Sequence, residues 1–358
     1  MGLETIDIET ATPAESLPVT PPVGRAQEVA PGVRWIRMPL PFALDHINLW
    51  AIDDGKGWTV VDTGIRHPDT MAAWEQIFEG DFGGRPVTRV LVTHQHADHA
   101  GLAGWFAERF GCPVSMTRTE YQAAAALAAR RDAVATQDER SFYRRAGWKP
   151  DELQTLASRR TAIARLYAPL PDRYDRLQDR EEVTIGGRSW RVIAGGGHTP
   201  EHACFHCPEL GLLISGDKVL SGISSNISVE ASRADADPLG EWFDTLGRLR
   251  RAVSDDTLAL PSHKLCFRNL RRRIDELLSD QREALARLRH ALTAPKRVPD
   301  LFTLLFARPI DRSDIALFSL ATGETVALLN YLRAAGAVER WSVDGVDLYQ
   351  EKIDAGRT

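Results

Sequence analysis

His94, His96, Asp98 and His99 fall within a stretch of six residues, directly after the apolar run Val90-Leu91-Val92. Imidazole and carboxylate are side chains that bind zinc, and four of them at the mouth of a predicted strand describe a metal site better than a solvated loop. On extended backbone, residues two apart point the same way. His94 and His96 can therefore converge on one ion, while the turn at Asp98-His99 aims the next two ligands at a second position nearby. A helical zinc motif would instead place two histidines four apart around a glutamate, and that spacing is absent from this segment.

Similar side chains recur where other strands should end. Gly195-Gly196-Gly197-His198 follows Trp190-Arg191-Val192-Ile193-Ala194, Ser215-Gly216-Asp217 follows Leu212-Leu213-Ile214, and Pro261-Ser262-His263 follows Leu258-Ala259-Leu260. Alone, His198, Asp217 or His263 would read as a surface or capping residue; with the first motif they read as one centre. Two cations held there would turn water into a nucleophile near neutral pH and polarise a carbonyl or phosphoryl oxygen, which is hydrolysis. Asp98, besides acting as a ligand, could orient that water or accept its proton. An all-nitrogen and oxygen donor set suits zinc and also tolerates iron or manganese.

This set of motifs resembles the metallo-β-lactamase superfamily. The residues that carry the resemblance are Val61-Asp62-Thr63-Gly64, His94-Gln95-His96-Ala97-Asp98-His99, Gly197-His198-Thr199-Pro200, Gly216-Asp217 and His263, spread over roughly residues 30 to 290. It implies an α/β fold, a four-layer αββα sandwich with the metals along one edge. It further implies two Zn²⁺ ions, with His94, His96 and His198 on one, Asp98, His99 and His263 on the other, and Asp217 bridging. The diiron redox branch of the family commonly has glutamate at the position of His96, which favours zinc here. Glu201 and Lys264 stand where the family often has glycine, so both are expected to bring charge to the substrate pocket, Lys264 attracting an anionic group.

At 358 residues the chain is long enough for two domains. Its net charge of −5 offers no general attraction for nucleic acid or anionic lipid. No apolar run is expected to span a bilayer, and the acidic segment Met1 to Glu15 lacks the hydrophobic core of a secretory signal. With four cysteines in keeping with a reducing compartment, the expected location is cytoplasmic, without a membrane partner. Cys204-Phe205-His206-Cys207 has a redox spacing, but on the predicted strand Ala203 to Cys207 residues three apart face opposite sides, so structural thiols are expected. His202 and His206 read as supports or core residues near His198.

The expected organisation is a flexible N-terminal tail over residues 1–30, a metallo-β-lactamase-like catalytic domain over 31–295, and a small winged-helix-like α+β domain over 298–358. A helical insertion at about 119–175 is expected either to pack on the sheet or to form a lid over the pocket. The C-terminal part reads as a helical run near 312–320, a second helix from Gly323 to Ala335, and a hairpin turning at Asp344-Gly345. That second helix offers a nucleic acid only Asn330 and Arg333, and the cluster Arg268, Arg271, Arg272 and Arg273 is mixed with Asp275 and Glu276. Nucleic acid is thus a disfavoured partner; packing on the catalytic domain, or a homodimer contact, suits the small domain better. The expected function is dinuclear zinc hydrolysis of a small ester, thioester or lactone by a metal-bridging hydroxide. An endoribonuclease-like phosphodiesterase and a non-enzymatic metal-binding regulatory protein are the alternatives.

Overall fold

The structure, a computed structural model, describes residues 18–130 and 132–352. Most of the expected tail lies outside the described residues, and its last five form a strand, β1 (Ala26–Ala30). This edge strand is only half-buried and carries no large apolar alternation, which is why the sequence disguises it. It pairs antiparallel with β2 (Val33–Pro39), and the same sheet continues in chain order through β3 (His46–Asp53), β4 (Trp58–Val61), β5 (Val87–Leu91), β6 (Val114–Thr117) and β7 (Asp175–Leu177). Pairings from β4 onward are parallel. Parallel neighbours need crossovers: α1 (Pro68–Glu79) links β4 to β5, and α2 (Ala97–Ala100) and α3 (Ala103–Phe110) link β5 to β6. Between β6 and β7 come α4 (Arg118–Ala129), α5 (Gln137–Arg145) and α6 (Pro150–Ala164).

A second sheet holds β8 (Glu182–Ile185), β9 (Arg188–Gly195), β10 (His202–Cys207), β11 (Leu212–Gly216) and, after α7 (Pro238–Ala252), β12 (Leu258–Pro261), in the order β12-β11-β10-β9-β8. Alternation along β2 assembles two cores. Val33 and Trp35 join Trp50, Trp190, Val192 and Phe205 between the sheets, while Ile36 and Met38 point the other way onto Trp74, Ile77 and Phe106 of α1 and α3. Each such large side chain taken wholly out of water contributes about 1.5–3 kcal/mol. On the far side of the second sheet, Arg248 of α7 donates to the Ala194 carbonyl (2.8 Å), and the Thr245 side chain fills the space beside Gly195. These are the αββα layers that the resemblance implies. All the motif loops leave from strand C-termini: Asp62 after β4, His94 to His99 after β5, His198 after β9, Asp217 after β11 and His263 after β12.

The chain divides into two compact units, each made of three segments. Among the described residues the first takes 18–130, 162–225 and 245–274, and the second 132–161, 226–244 and 275–352. The division therefore does not follow the boundary at 295–298 expected from sequence, and the helical insertion is shared: α4 belongs to the first unit, α5 and most of α6 to the second.

The second unit also contains α8 (Leu270–Ala291) from Asp275 onward, α9 (Phe302–Leu305), α10 (Ile315–Ala334), β13 (Val338–Val343) and β14 (Val346–Glu351). The two helices expected on either side of Gly323 are one, α10. Gly323 lies within it, and its missing side chain admits Ser228: a Cβ there would lie 2.8 Å from the Ser228 side chain. By length and composition α10 is apolar enough to cross a membrane (mean hydropathy 1.4), which corrects the expectation that no such run exists. With 67% of that window buried, it is a core helix of this unit. The expected hairpin is present, Asp344 and Gly345 both turning through positive φ (52° and 80°), as a two-residue turn between twisted strands requires.

Glu324 of α10 accepts a hydrogen bond from Asn226 Nδ2 (2.7 Å). Burial pushes its carboxyl up to about 7, against the opposing pull of that hydrogen bond. The folded state then holds a proton that the unfolded chain has already released, so this group's contribution to stability is greatest at low pH and is lost as pH rises through 7. The melting temperature should fall between pH 5 and pH 8 in the wild type, and Glu324→Gln should flatten that decline. Parallel profiles for the two proteins would remove Glu324 as its source.

Candidate metal centre

The strand ends bring all seven motif side chains together. His94 Nε2 lies 2.9 Å from His96 Nδ1, which lies 3.2 Å from His198 Nε2; His198 Nε2 is 3.5 Å from Asp217 Oδ2. These four donors all lie within 4.8 Å of one another, and so do those of Asp98, His99 and His263. Asp98 Oδ2 is 3.3 Å from His263 Nε2 and 3.7 Å from His99 Nε2. The other oxygen of Asp217, Oδ1, sits 3.6 Å from both His99 Nε2 and His263 Nε2. One carboxylate thus faces both clusters.

Partners behind the imidazoles decide which nitrogen carries the proton. His263 Nδ1 donates to the His46 carbonyl (2.9 Å) and His99 Nδ1 to Asp62 Oδ2 (2.8 Å), so each ring turns Nε2 toward the cluster, the nitrogen that can bind a cation once its proton is displaced. Thr93 Oγ1 donates to the same Asp62 oxygen (2.8 Å), so it can accept from His94 Nδ1 (3.0 Å) and free that Nε2 as well. Asp62 also takes the Thr93 N–H (2.7 Å) and holds a positive φ of 61° to do so. His202, read from sequence as a support, is fully buried, stacks on His94 with centroids 4.9 Å apart, and accepts the Asp217 N–H at Nε2 (3.1 Å). Gly216 is required beside it, since a Cβ there would come within 2.5 Å of that nitrogen.

The donor set fits metal ions. His99 Nε2 and Asp217 Oδ1 are buried without a hydrogen-bond partner among the described residues. Such atoms cost about 1–3 kcal/mol each when left unsatisfied, and a cation between them would satisfy both. Nitrogens spaced like those of His94, His96 and His198 match a tetrahedral ion with bonds of about 2.0–2.1 Å. Burial resists charge throughout the centre. It holds His94 well below the ordinary histidine value, helped by the neighbouring imidazoles. It would raise Asp98 and Asp217, yet His99 and His263 outweigh it and keep both carboxyls below their usual range, ionised as cation ligands must be. The same carboxylates, with Asp62, hold His99 above its ordinary value despite burial.

Glu201, expected to bring charge to the pocket, is held by its Oε2 accepting the Thr119 N–H at the start of α4 (2.9 Å). Lys264 takes part through its backbone, donating its N–H to His46 Nε2 (3.2 Å) at a φ of 66°. Sequence reasoning missed His46, Glu120, Tyr167 and the buried Lys218, whose Nζ donates to the Gly195 and Gly196 carbonyls (2.9 Å each). None lies inside a ligand motif, although Glu120 and Lys218 do follow strands β6 and β11 closely. Cys204 and Cys207 are free and buried on β10 as expected.

Residues 43–263 match the family model of the metallo-beta-lactamase superfamily, and 285–352 that of the metallo-beta-lactamase-like, C-terminal domain. A solved beta-lactamase domain protein from Burkholderia ambifaria is 41% identical, with a TM-score of 0.84 over 95% of this chain and 97% of that one. A solved metallo-beta-lactamase family protein of Thermus thermophilus, TTHA1429, is 27% identical with a TM-score of 0.75, over 91% of this chain and 100% of its own. Among curated relatives, the probable metallo-hydrolase YqjP of Bacillus subtilis is 25% identical across 85% of this chain and 92% of its own. A hydroxyacylglutathione hydrolase of Idiomarina loihiensis is 26% identical across 50% of this chain and 49% of its own. An acyl-coenzyme A thioesterase MBLAC2 of Gallus gallus is 27% identical across 53% and 64%. Fold, donor cluster and family models agree: the chain belongs to the metallo-beta-lactamase superfamily and is a metal-dependent hydrolase of that fold.

Proposed function

We propose that this hydrolase binds two zinc ions and cleaves a small thioester, ester or lactone. His94, His96 and His198 would hold one ion, Asp98, His99 and His263 the other, with Asp217 between them. The observation that carries the reading is the pair of donor clusters, with Asp217 in the first turning Oδ1 toward the second, and with His99 Nε2 and Asp217 Oδ1 buried and unsatisfied. Zinc, when bound, would lower the pKa of water and polarise the scissile carbonyl. The protein's own contribution is to orient and move protons. Asp98 has the more open carboxylate, 21% exposed against 10% for Asp217, which suits it to orient the attacking water and take up its proton. A solely structural ion would be enclosed by protein ligands, so that exposure favours catalysis over a regulatory role.

Thioesters are favoured among these substrates by the names of the relatives above. The phosphodiesterase alternative loses support in the small unit. Asn330 spends its amide on the Ala234 and Ala236 carbonyls, and Arg333 bonds Asp235. In the first unit, Arg268, Arg271 and Arg273 likewise donate to backbone carbonyls. A cytoplasmic location belongs to the same proposal, supported by four free, buried thiols.

The test is turnover by zinc-loaded protein of thioesters, lactones, β-lactams, phosphodiesters and RNA beside a His96→Ala control. Thioester cleavage that disappears in the control is expected. Cleavage of RNA alone, or turnover undiminished in the control, would overturn the proposal.

A further inference from the structure

Gln95, between His94 and His96, is gripped on both sides. Its N–H donates to Glu120 Oε2 (2.9 Å), and its carbonyl accepts from the Tyr167 hydroxyl (2.7 Å). The second oxygen of Glu120 accepts the N–H of Glu201 (2.7 Å), in the loop that carries His198. A buried carboxylate is costly without hydrogen-bond partners. Glu120 is fully buried, and its partners include N–H groups of two different ligand loops. It thus joins the backbone segments whose imidazoles, His96 and His198, stand 3.2 Å apart. His99 and His263 rest on other partners, Asp62 and the His46 carbonyl.

We propose that Glu120 and Tyr167 are positioning residues that set the affinity of the His94, His96 and His198 cluster for its ion, and leave the Asp98, His99 and His263 cluster nearly untouched. The inference rests on the two-ion reading above. Glu120→Gln keeps the size but offers one carbonyl oxygen and turns an amide N–H₂ against the second N–H donor. Tyr167→Phe removes only a hydroxyl.

Metal-free wild type and variants would be titrated with zinc against a chromophoric chelator, without any assay of turnover. Wild type binding fewer than two ions would defeat the two-ion reading itself. Given two, Glu120→Gln should weaken one ion by about 10–100-fold, as loss of a ligand's supporting partner does, and Tyr167→Phe should weaken the same ion less. The other ion should stay within about twofold. Placing each variant on His263→Ala should preserve the loss, and placing it on His198→Ala should abolish it. Equal weakening of both ions, or of neither, overturns the proposal. Should Glu120→Gln fail to fold, Tyr167→Phe decides by the same criteria.

Discussion

Asp217→Asn should lower kcat/KM for the substrate by on the order of a thousandfold or more, with the melting temperature little changed. The side chain keeps its shape but loses the negative charge that faces both donor clusters, each of its oxygens lying 3.5–3.6 Å from imidazole nitrogens. Lewis-acid assistance is worth several kcal/mol of transition-state stabilisation, and each 1.36 kcal/mol is tenfold in rate. Zinc content measured by atomic emission should drop below two per chain. Near-normal turnover with two ions retained would show that Asp217 does not couple the clusters.

Asp62→Ala should cost stability rather than chemistry alone, by about 3–5 kcal/mol. The carboxylate is 1% exposed and accepts from Thr93 N, Thr93 Oγ1 and His99 Nδ1. Removing it leaves three buried donors without their acceptor, and breaking such a buried charged network is among the largest single-residue losses. Urea denaturation should show a lower midpoint at unchanged slope. Asp62→Gly separates two contributions: glycine tolerates the positive φ of 61° at this position, so any stability it recovers over alanine measures backbone strain. A loss under 1 kcal/mol in both variants would mean that this anchor is dispensable.

The seven clustered residues were legible because they follow apolar strands, Asp98 and His99 on the short helix α2 just beyond β5 and others beside glycine, and strand ends carry sites in such folds. The strands themselves spoke only for sheets covered by helices; the αββα layering came from the family resemblance that the motifs carry. What could not be read depends on contacts between distant segments. Glu120 has no local signature, since its hydrogen-bond partners Gln95 and Glu201 lie 25 and 81 residues away. Gly323 suggested a helix boundary because the side chain that replaces its missing Cβ, Ser228, belongs to another part of the chain. The helices at 132–161 resembled a surface insertion, but Tyr143 bonds Ser319 (3.0 Å), Trp148 bonds Thr322 (3.0 Å) and Arg145 pairs with Asp347 (2.9 Å).

Those three contacts bear on how the C-terminal segment can be handled or inherited. Clipping the chain near residue 295 would orphan the indole of Trp148 and the phenol of Tyr143, greasy surfaces that would then invite aggregation. A graft of 298–352 onto a relative would arrive without its other half. The C-terminal segment is therefore no detachable cassette, and successful shuffling would have to carry residues 132–161 and 226–244 along with it.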